Sequence, residues 1–192
     1  MSLASAPPNS GKETDSSSHV GRVTTRPSVT DDADFILELY ASTSADELRS
    51  LGWTIGKQRT FIIMQAQTED WNRGRLYPAM DRLTICVDGV PAGRMLISIT
   101  DTVLHVVDLS LLPAYRGHGI GTQLLGEIMV EARAARVPLK VKVHKDSPAV
   151  RFFERLGFGS PGDTGAFWEL TWMPPLAAVG PRGQATHRTI GP

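Results

Sequence analysis

Residues 103–125 read VLHVVDLSLLPAYRGHGIGTQLL, and the reading of this stretch decides the fold. An apolar run ends at Pro113, a glycine-rich turn follows, and then an amphipathic helix begins. The order is strand, tight turn, helix. A helix start presents several backbone N–H groups without intrahelical partners and carries about half a positive charge from the macrodipole. Glycines let an anion approach that backbone closely. Arg116 adds a fixed cation whose fork matches phosphate oxygens. From the residues alone, 116–122 is a candidate diphosphate cradle.

Working upstream, 82–87 (RLTICV) and 91–100 flank Asp88-Gly89, the strongest short hairpin signal. With 103–111 they make a three-stranded antiparallel meander. A first strand is expected over 20–27, ending at Pro27. Thr30 is expected to cap a helix whose first turn holds Asp31, Asp32 and Asp34, and whose apolar face is Phe35, Ile36, Leu39 and Tyr40. Residues 44–51 read as a short second helix ending near Gly52. Residues 57–72 read as another, with Phe61, Ile63 and Met64 inward. Residues 71–80, with Arg73, Arg75, Tyr77 and Pro78, read as a loop; loops on a rigid scaffold often carry specificity.

Working downstream, Ile120, Leu124, Ile128 and Ala132 recur at i+4 and predict a helix over 119–135. Pro138 ends the connection, and 139–143 is a short strand with Lys140 and Lys142 on its second face. Asp146 or Ser147 caps a further helix that stops at Gly157. Residues 166–172 form the clearer of the last strands. A crossover helix makes the strand after it parallel to the strand before it. The fold class is therefore α/β with a central mixed, mostly antiparallel sheet flanked by helices. One domain is expected over 20–174, between tails at 1–19 and 175–192 whose composition, rich in Ser, Pro and Gly, reads as disordered.

Composition narrows the function classes. The formal net charge is +0 over 192 residues, with 41% hydrophobic residues. That disfavours nucleic acid as the partner. No apolar stretch approaches the ~20 residues of a membrane span, and the N-terminus lacks a basic region followed by an apolar core. The single cysteine, Cys86, lies in an apolar run and reads as a small core residue; its being alone fits a reducing, cytoplasmic setting. No metal site is expected.

Spacing then separates the possible phosphate ligands. A Walker loop ends in Gly-Lys-Ser/Thr, whereas Gly121 is followed directly by Thr122. The dinucleotide fingerprint needs an acid about twenty residues after its glycines. Here the next strand carries Lys140 and Lys142 instead. The third pattern, R/Q-x-x-G-x-G/A, fits Arg116-Gly117-His118-Gly119-Ile120-Gly121. Downstream stands Ser147-Pro148-Ala149, then Phe152-Phe153-Glu154-Arg155-Leu156-Gly157-Phe158. Turn and downstream segment together resemble the GCN5-related N-acetyltransferase (GNAT) superfamily, closely over 103–158 and more loosely over 20–173.

That resemblance implies an acetyl-CoA-dependent N-acetyltransferase acting on a primary amine, of a small molecule or of a peptide or protein, by direct attack on the thioester. It implies acetyl-CoA as co-substrate and no metal. Arg116, Gly117, His118, Gly119, Ile120, Gly121 and Thr122 would hold the pyrophosphate. Leu109 and Leu111 would pair through their backbone with the pantetheine arm. Ser147 would either bond the pantetheine or serve only as a helix cap. Phe153 stands where the superfamily usually has a tyrosine that protonates the departing thiolate. A phenyl ring cannot do so, and the alternative reading is a non-catalytic acyl-CoA-binding module.

The attacking amine must first lose a proton. Period two along 103–111 puts Val103, His105, Val107, Leu109 and Leu111 on one face, assigned to the cofactor, and makes His105 the candidate base. Asp108 would face the other way, as a structural hydrogen-bonder or a charge partner for the substrate. Being flanked by Val107 and Leu109, it should have a partner of its own. His144 is a second candidate base. Glu69, Asp70 or Asp108 near the site would suit a cationic amine. The oligomeric state is left open between monomer and homodimer.

Overall fold

The computed structural model describes residues 21–50 and 52–175, and for 44–50, 160 and 161 the backbone alone. The expected tails lie outside the described residues, apart from Pro175. The elements run β1 Val23–Pro27, α1 Ala33–Ser50, α2 Ile55–Leu76, β2 Asp81–Val87, β3 Val90–Ile99, β4 Leu104–Leu111, α3 Ile120–Ala135, β5 Leu139–His144, α4 Ala149–Arg155, β6 Gly159–Asp163 and β7 Phe167–Trp172. The seven strands form one sheet in the order β1-β2-β3-β4-β5-β7-β6, antiparallel at every pairing except β4 with β5. The mixed, mostly antiparallel α/β class is thus present.

The core lies between the sheet and α3. Ile120, Leu124, Leu125, Ile128 and Ala132 are all at most 3% exposed. They pack on Ile85, Met95, Ile97, Leu104, Val106, Leu139 and Val141 of the strands. The i+4 spacing of α3 is therefore the spacing of its buried stripe. The helix ends at Arg136, in the left-handed region at φ 58°, where its N–H returns to the carbonyls of Ala132 and Arg133. The β2–β3 hairpin turns on Asp88 (φ 51°) and Gly89 (φ 82°), the paired positive angles of a type I′ turn. Cys86 is buried and free.

The N-terminal helices differ from the sequence reading. Thr30 does not cap α1. A single 3-10 turn, Thr30–Asp32, precedes it, and the buried Asp32 carboxylate accepts the Val29 N–H at 2.9 Å. Residues 44–50 are no second helix: α1 continues unbroken to Ser50, because nothing in that run breaks a helix before Gly52, which sits at φ 62°. The next helix likewise runs on to Leu76, so Arg73 and Arg75 belong to a helix and only 77–80 connect it to β2. Met64 is 57% exposed rather than inward.

Candidate active site

The geometry of β4 decides the site. It pairs with β5 at only three positions, Leu104↔Leu139, His105↔Lys140 and Val106↔Val141. On its other side, Leu96 of β3 faces Asp108 while the next residue, Ile97, faces Val106. Val107 is thus an inserted residue, a β-bulge. A bulge bends its strand and sharpens the local twist. It lies one residue beyond the last β4–β5 pair, and past it the two strands separate. From there to Leu111, β4 has no partner on its β5 side.

The opening is a cleft of about 880 Å³, lined by Leu109, Ser110 and Leu111 of β4, by the glycine turn, and by Ser147–Ala149, Phe152 and Arg155 around α4. Gly117 (φ 77°) and Gly119 (φ 82°) hold left-handed angles that fold the turn back on itself. The first N–H groups of α3 have no intrahelical acceptor and open on the cleft. The Arg116 Nε donates to the Leu111 carbonyl at 2.7 Å, which fixes the guanidinium at the mouth of the turn. Space is tight at Gly121, where a Cβ would stand 3.3 Å from the Phe152 ring, which would have to yield by a few tenths of an ångström.

Of the expected cofactor residues, Leu109, Leu111, Arg116, Gly117, Gly119, Ile120, Gly121, Thr122 and Ser147 all line this cleft. His118 is not among the lining residues. Ser147 Oγ accepts the Ala149 N–H at 3.2 Å while facing the cleft, but the N-cap position of α4 is Pro148 rather than Ser147 or Asp146. Phe153 is 5% exposed, with its ring in edge contact with Phe158, and Phe152 faces the cleft in its place. Tyr115, Thr43 and Arg155 are lining residues that sequence reasoning passes over. Arg155 is legible as one cation in FFERLGF, but nothing in its spacing points it at a phosphate.

The bulge also overturns the face assignment on β4. Period two does not survive an inserted residue. Leu104 and Val106 lie in the core, and Leu109 and Leu111 pack against it. His105 instead shares the opposite, α1/α2 face with Asp108. His105 does not line the cofactor cleft. It contacts Tyr77, with ring centroids 5.4 Å apart. Among the described residues its imidazole has no hydrogen-bond partner. Burial holds its pKa below the ordinary imidazole value; Glu169 opposes this and Lys140 reinforces it. Burial likewise raises the Tyr77 phenol above its usual range.

Asp108 has the partner its surroundings require. Arg94, 7% exposed, donates Nε to it at 2.8 Å and a second N–H from Nη2; Ser110 Oγ donates to the other oxygen at 2.9 Å. The Arg94 guanidinium lies 4.7 Å over the Tyr40 ring, and Tyr40 Oη accepts from Arg73 at 2.6 Å. A cavity of about 200 Å³ is lined by these groups and adjoins the cleft through Thr43 and Ser110, which line both. Glu69 pairs with Arg73 at 2.8 Å, and Asp70 with Arg82. His144 is exposed, against the Phe167 ring. The structure therefore separates the expected site residues into those that line the cleft on one side of β4 and His105, Asp108 and His144 on the other. The two sides meet where β4 and β5 part.

Residues 43–158 match the sequence model of the Acetyltransferase (GNAT) family. A search among curated proteins returned no match. Among solved structures, the fold is similar to that of PaiA N-acetyltransferase from Thermoplasma acidophilum, crystallised in complex with coenzyme A. That match has 17% identity and a TM-score of 0.59, over 79% of this chain and 99% of that one. It is similar also to an acetyltransferase from Thermus thermophilus, at 17% identity and TM-score 0.59, over 81% of this chain and 99% of that one. A third is Ard1 from Thermoplasma volcanium, at 17% identity and TM-score 0.53, over 80% and 99%.

Proposed function

From the premise that the chain belongs to the Acetyltransferase (GNAT) family, we propose that it transfers an acetyl group from acetyl-CoA to a primary amine. The observation that carries this reading is the open β4 edge beside a glycine turn in one cleft; an extended thioester arm would lie along the first and a diphosphate against the second. The residues suit that ligand: backbone N–H groups and Arg116 at the turn, Arg155 across the cleft, and a β4 edge from Val107 to Leu111 with no strand on its β5 side. A neighbour of the same fold was crystallised with coenzyme A. Acetyl-CoA supplies an activated thioester carbonyl.

His105 is the proposed base. It is neutral near pH 7, unpartnered among the described residues, and on the face from which an amine reaches the β4–β5 opening. The amine nitrogen bonds to the acetyl carbon as the C–S bond breaks; the nitrogen's proton passes to His105, and the thiolate leaves for solvent to protonate. Asp108, bound by Arg94 and Ser110, holds β4 in the bulged form; His144 stands further out as a second acceptor of the proton. Free-thiol release from acetyl-CoA over a panel of amines and peptides tests the reading, with turnover on at least one expected.

Phe153 favours a second reading. Its ring is in the core and carries no hydroxyl, so the acid for the thiolate is not supplied by that position. A protein that binds acetyl-CoA tightly and turns over no amine, peptide or antibiotic would be a non-catalytic acyl-CoA-binding module.

A further inference from the structure

The charges on the acceptor face of the sheet are unequally matched. On this side of β4, β5 and β7 stand Asp108, Lys140, Lys142, His144 and Glu169, with His105 between them. Asp108 is bound by Arg94. Glu169 is bound by Lys140 at 2.6 Å. The two carboxylates of α2 that would otherwise draw a polycation, Glu69 and Asp70, are held by Arg73 and Arg82. The His144 ring has Asp146 at 3.8 Å. Lys142 alone has no carboxylate within 4.0 Å among the described residues. Its exposed ammonium lies 5.0 Å from the Phe167 ring centroid, and Phe167 is 38% exposed.

The place of this cation is informative. Lys140 is the register partner of His105, and Lys142 is two residues further along the same face, about 7 Å on. It stands just past Val141, the last β5 residue that pairs with β4, beside the opening through which the thioester is reached. A second ammonium on the acceptor would meet the Lys142 ammonium, whose register partner on β7, Glu169, is held by Lys140, and like charges in contact disfavour binding. An anionic group on the acceptor would meet a cation whose hydrogen-bonding capacity is unspent.

We propose that the acceptor is a primary amine that also carries an anionic group, carboxylate or phosphate, and that Lys142 binds that group while the amine faces His105. The inference rests on the acetyl-transfer reading above and names the class of substrate for it.

Five amines on the full chain test it: 4-aminobutyrate, butylamine and 1,4-diaminobutane, which share a four-carbon chain and differ in the group and charge at the far end, and O-phosphoethanolamine against ethanolamine. In thiol-release assays kcat/KM is expected to fall in the order anionic, neutral, dicationic. The phosphate pair tells phosphate from carboxylate recognition. Lys142→Gln is expected to lower the ratio of 4-aminobutyrate to butylamine about tenfold, through KM. Lys142→Glu is expected to move the preference to the diamine. A wild-type preference for 1,4-diaminobutane, or an unchanged ratio in Lys142→Gln, overturns the proposal. If no amine releases thiol, the acetyl-transfer reading fails by itself. The charge preference is then read from thermal shifts by the same five amines, and stronger stabilisation by the diamine overturns it.

Discussion

At the scale of single residues, His105 is set by what buries it. Tyr77 from the α2–β2 connection covers one side of the imidazole, and burial is the main reason its pKa lies below the ordinary value of 6.5. A base with a lowered pKa stays neutral to lower pH. The acid limb of kcat/KM is therefore expected below the usual imidazole range. His105→Ala should remove that limb and lower kcat at least tenfold, given the usual 100- to 10,000-fold share of general-base catalysis, while acetyl-CoA affinity stays nearly intact. A pH–rate profile of the variant that keeps the same limb and rate removes His105 from the mechanism. Tyr77→Ala exposes the ring and should carry the limb back up toward 6.5, whereas Tyr77→Phe, which still covers it, should not. Asp32 acts on stability instead. Its buried carboxylate binds Arg26 twice at 2.7 Å and accepts from Thr84 and the Val29 N–H, and the Arg26 contact holds its pKa well below the usual carboxylate range. A depressed carboxylate contributes stability that is present above its unfolded value of 3.8 and is lost as pH falls through the folded one. Asp32→Asn is expected to cost about 2 kcal/mol at pH 7 from these lost bonds. The deficit should shrink in denaturation midpoints taken below pH 3.8; a deficit unchanged with pH counts against the ionised form as the source.

At the scale of elements, β4 and its neighbours explain which parts of the site are legible in the sequence. The glycine turn and FFERLGF are legible because they are demanded by backbone: positive φ at Gly117 and Gly119, and a helix end at Gly157 (φ 87°). Such demands leave few residue choices and so mark the sequence. The bulge at Val107 leaves no such mark. VLHVVDLSL reads as an uninterrupted strand, and one inserted residue flips the face of everything on one side of it, which is why period two alone puts His105 on the cofactor side. Arg94 is hidden for a related reason: its surroundings in GRMLISI are apolar, and only the register with Asp108's side of β4 reveals its partner. Gly93 shows the precision this pairing needs. A Cβ there would stand 2.3 Å from the Ser110 carbonyl oxygen and 3.2 Å from the Leu111 Cα, and those backbone atoms cannot yield without moving β4. Gly93→Ala is therefore expected to shift the stretch that lines the cleft. Acetyl-CoA affinity should fall at least tenfold by calorimetric titration, with far-ultraviolet dichroism still that of the fold. Wild-type affinity in a folded Gly93→Ala protein would mean that Ser110 and Leu111 do not hold the arm.

At the scale of the molecule, the sheet is two antiparallel units, β1–β4 and β5–β7, joined by only three parallel pairs. The core under α3 holds the units together on one side. On the other, α1 and α2 cover the first unit, while Lys142 and His144 of the second stay exposed. The cleft occupies the remaining gap, and its walls come from β4 and the start of α3 on one side and from Ser147, Phe152 and Arg155 on the other. A ligand filling it adds contacts across the seam between the two units. Binding to the folded state alone stabilises by about 2.7 kcal/mol at a hundredfold excess over Kd, which for a domain of this size raises Tm by roughly 5–10 °C. Acetyl-CoA and CoA should both give this shift, because the diphosphate and pantetheine contacts are shared, and Arg116→Ala should reduce it. Amide hydrogen exchange locates the effect: protection is expected to rise at 107–111 and 117–122, on the two sides of the opening, and not in the β1–β2 pair. A shift produced by NAD or ATP but not by acetyl-CoA would mean that the glycine turn serves another diphosphate. The separation of β4 from β5 would then need a different explanation from the proposed thioester arm.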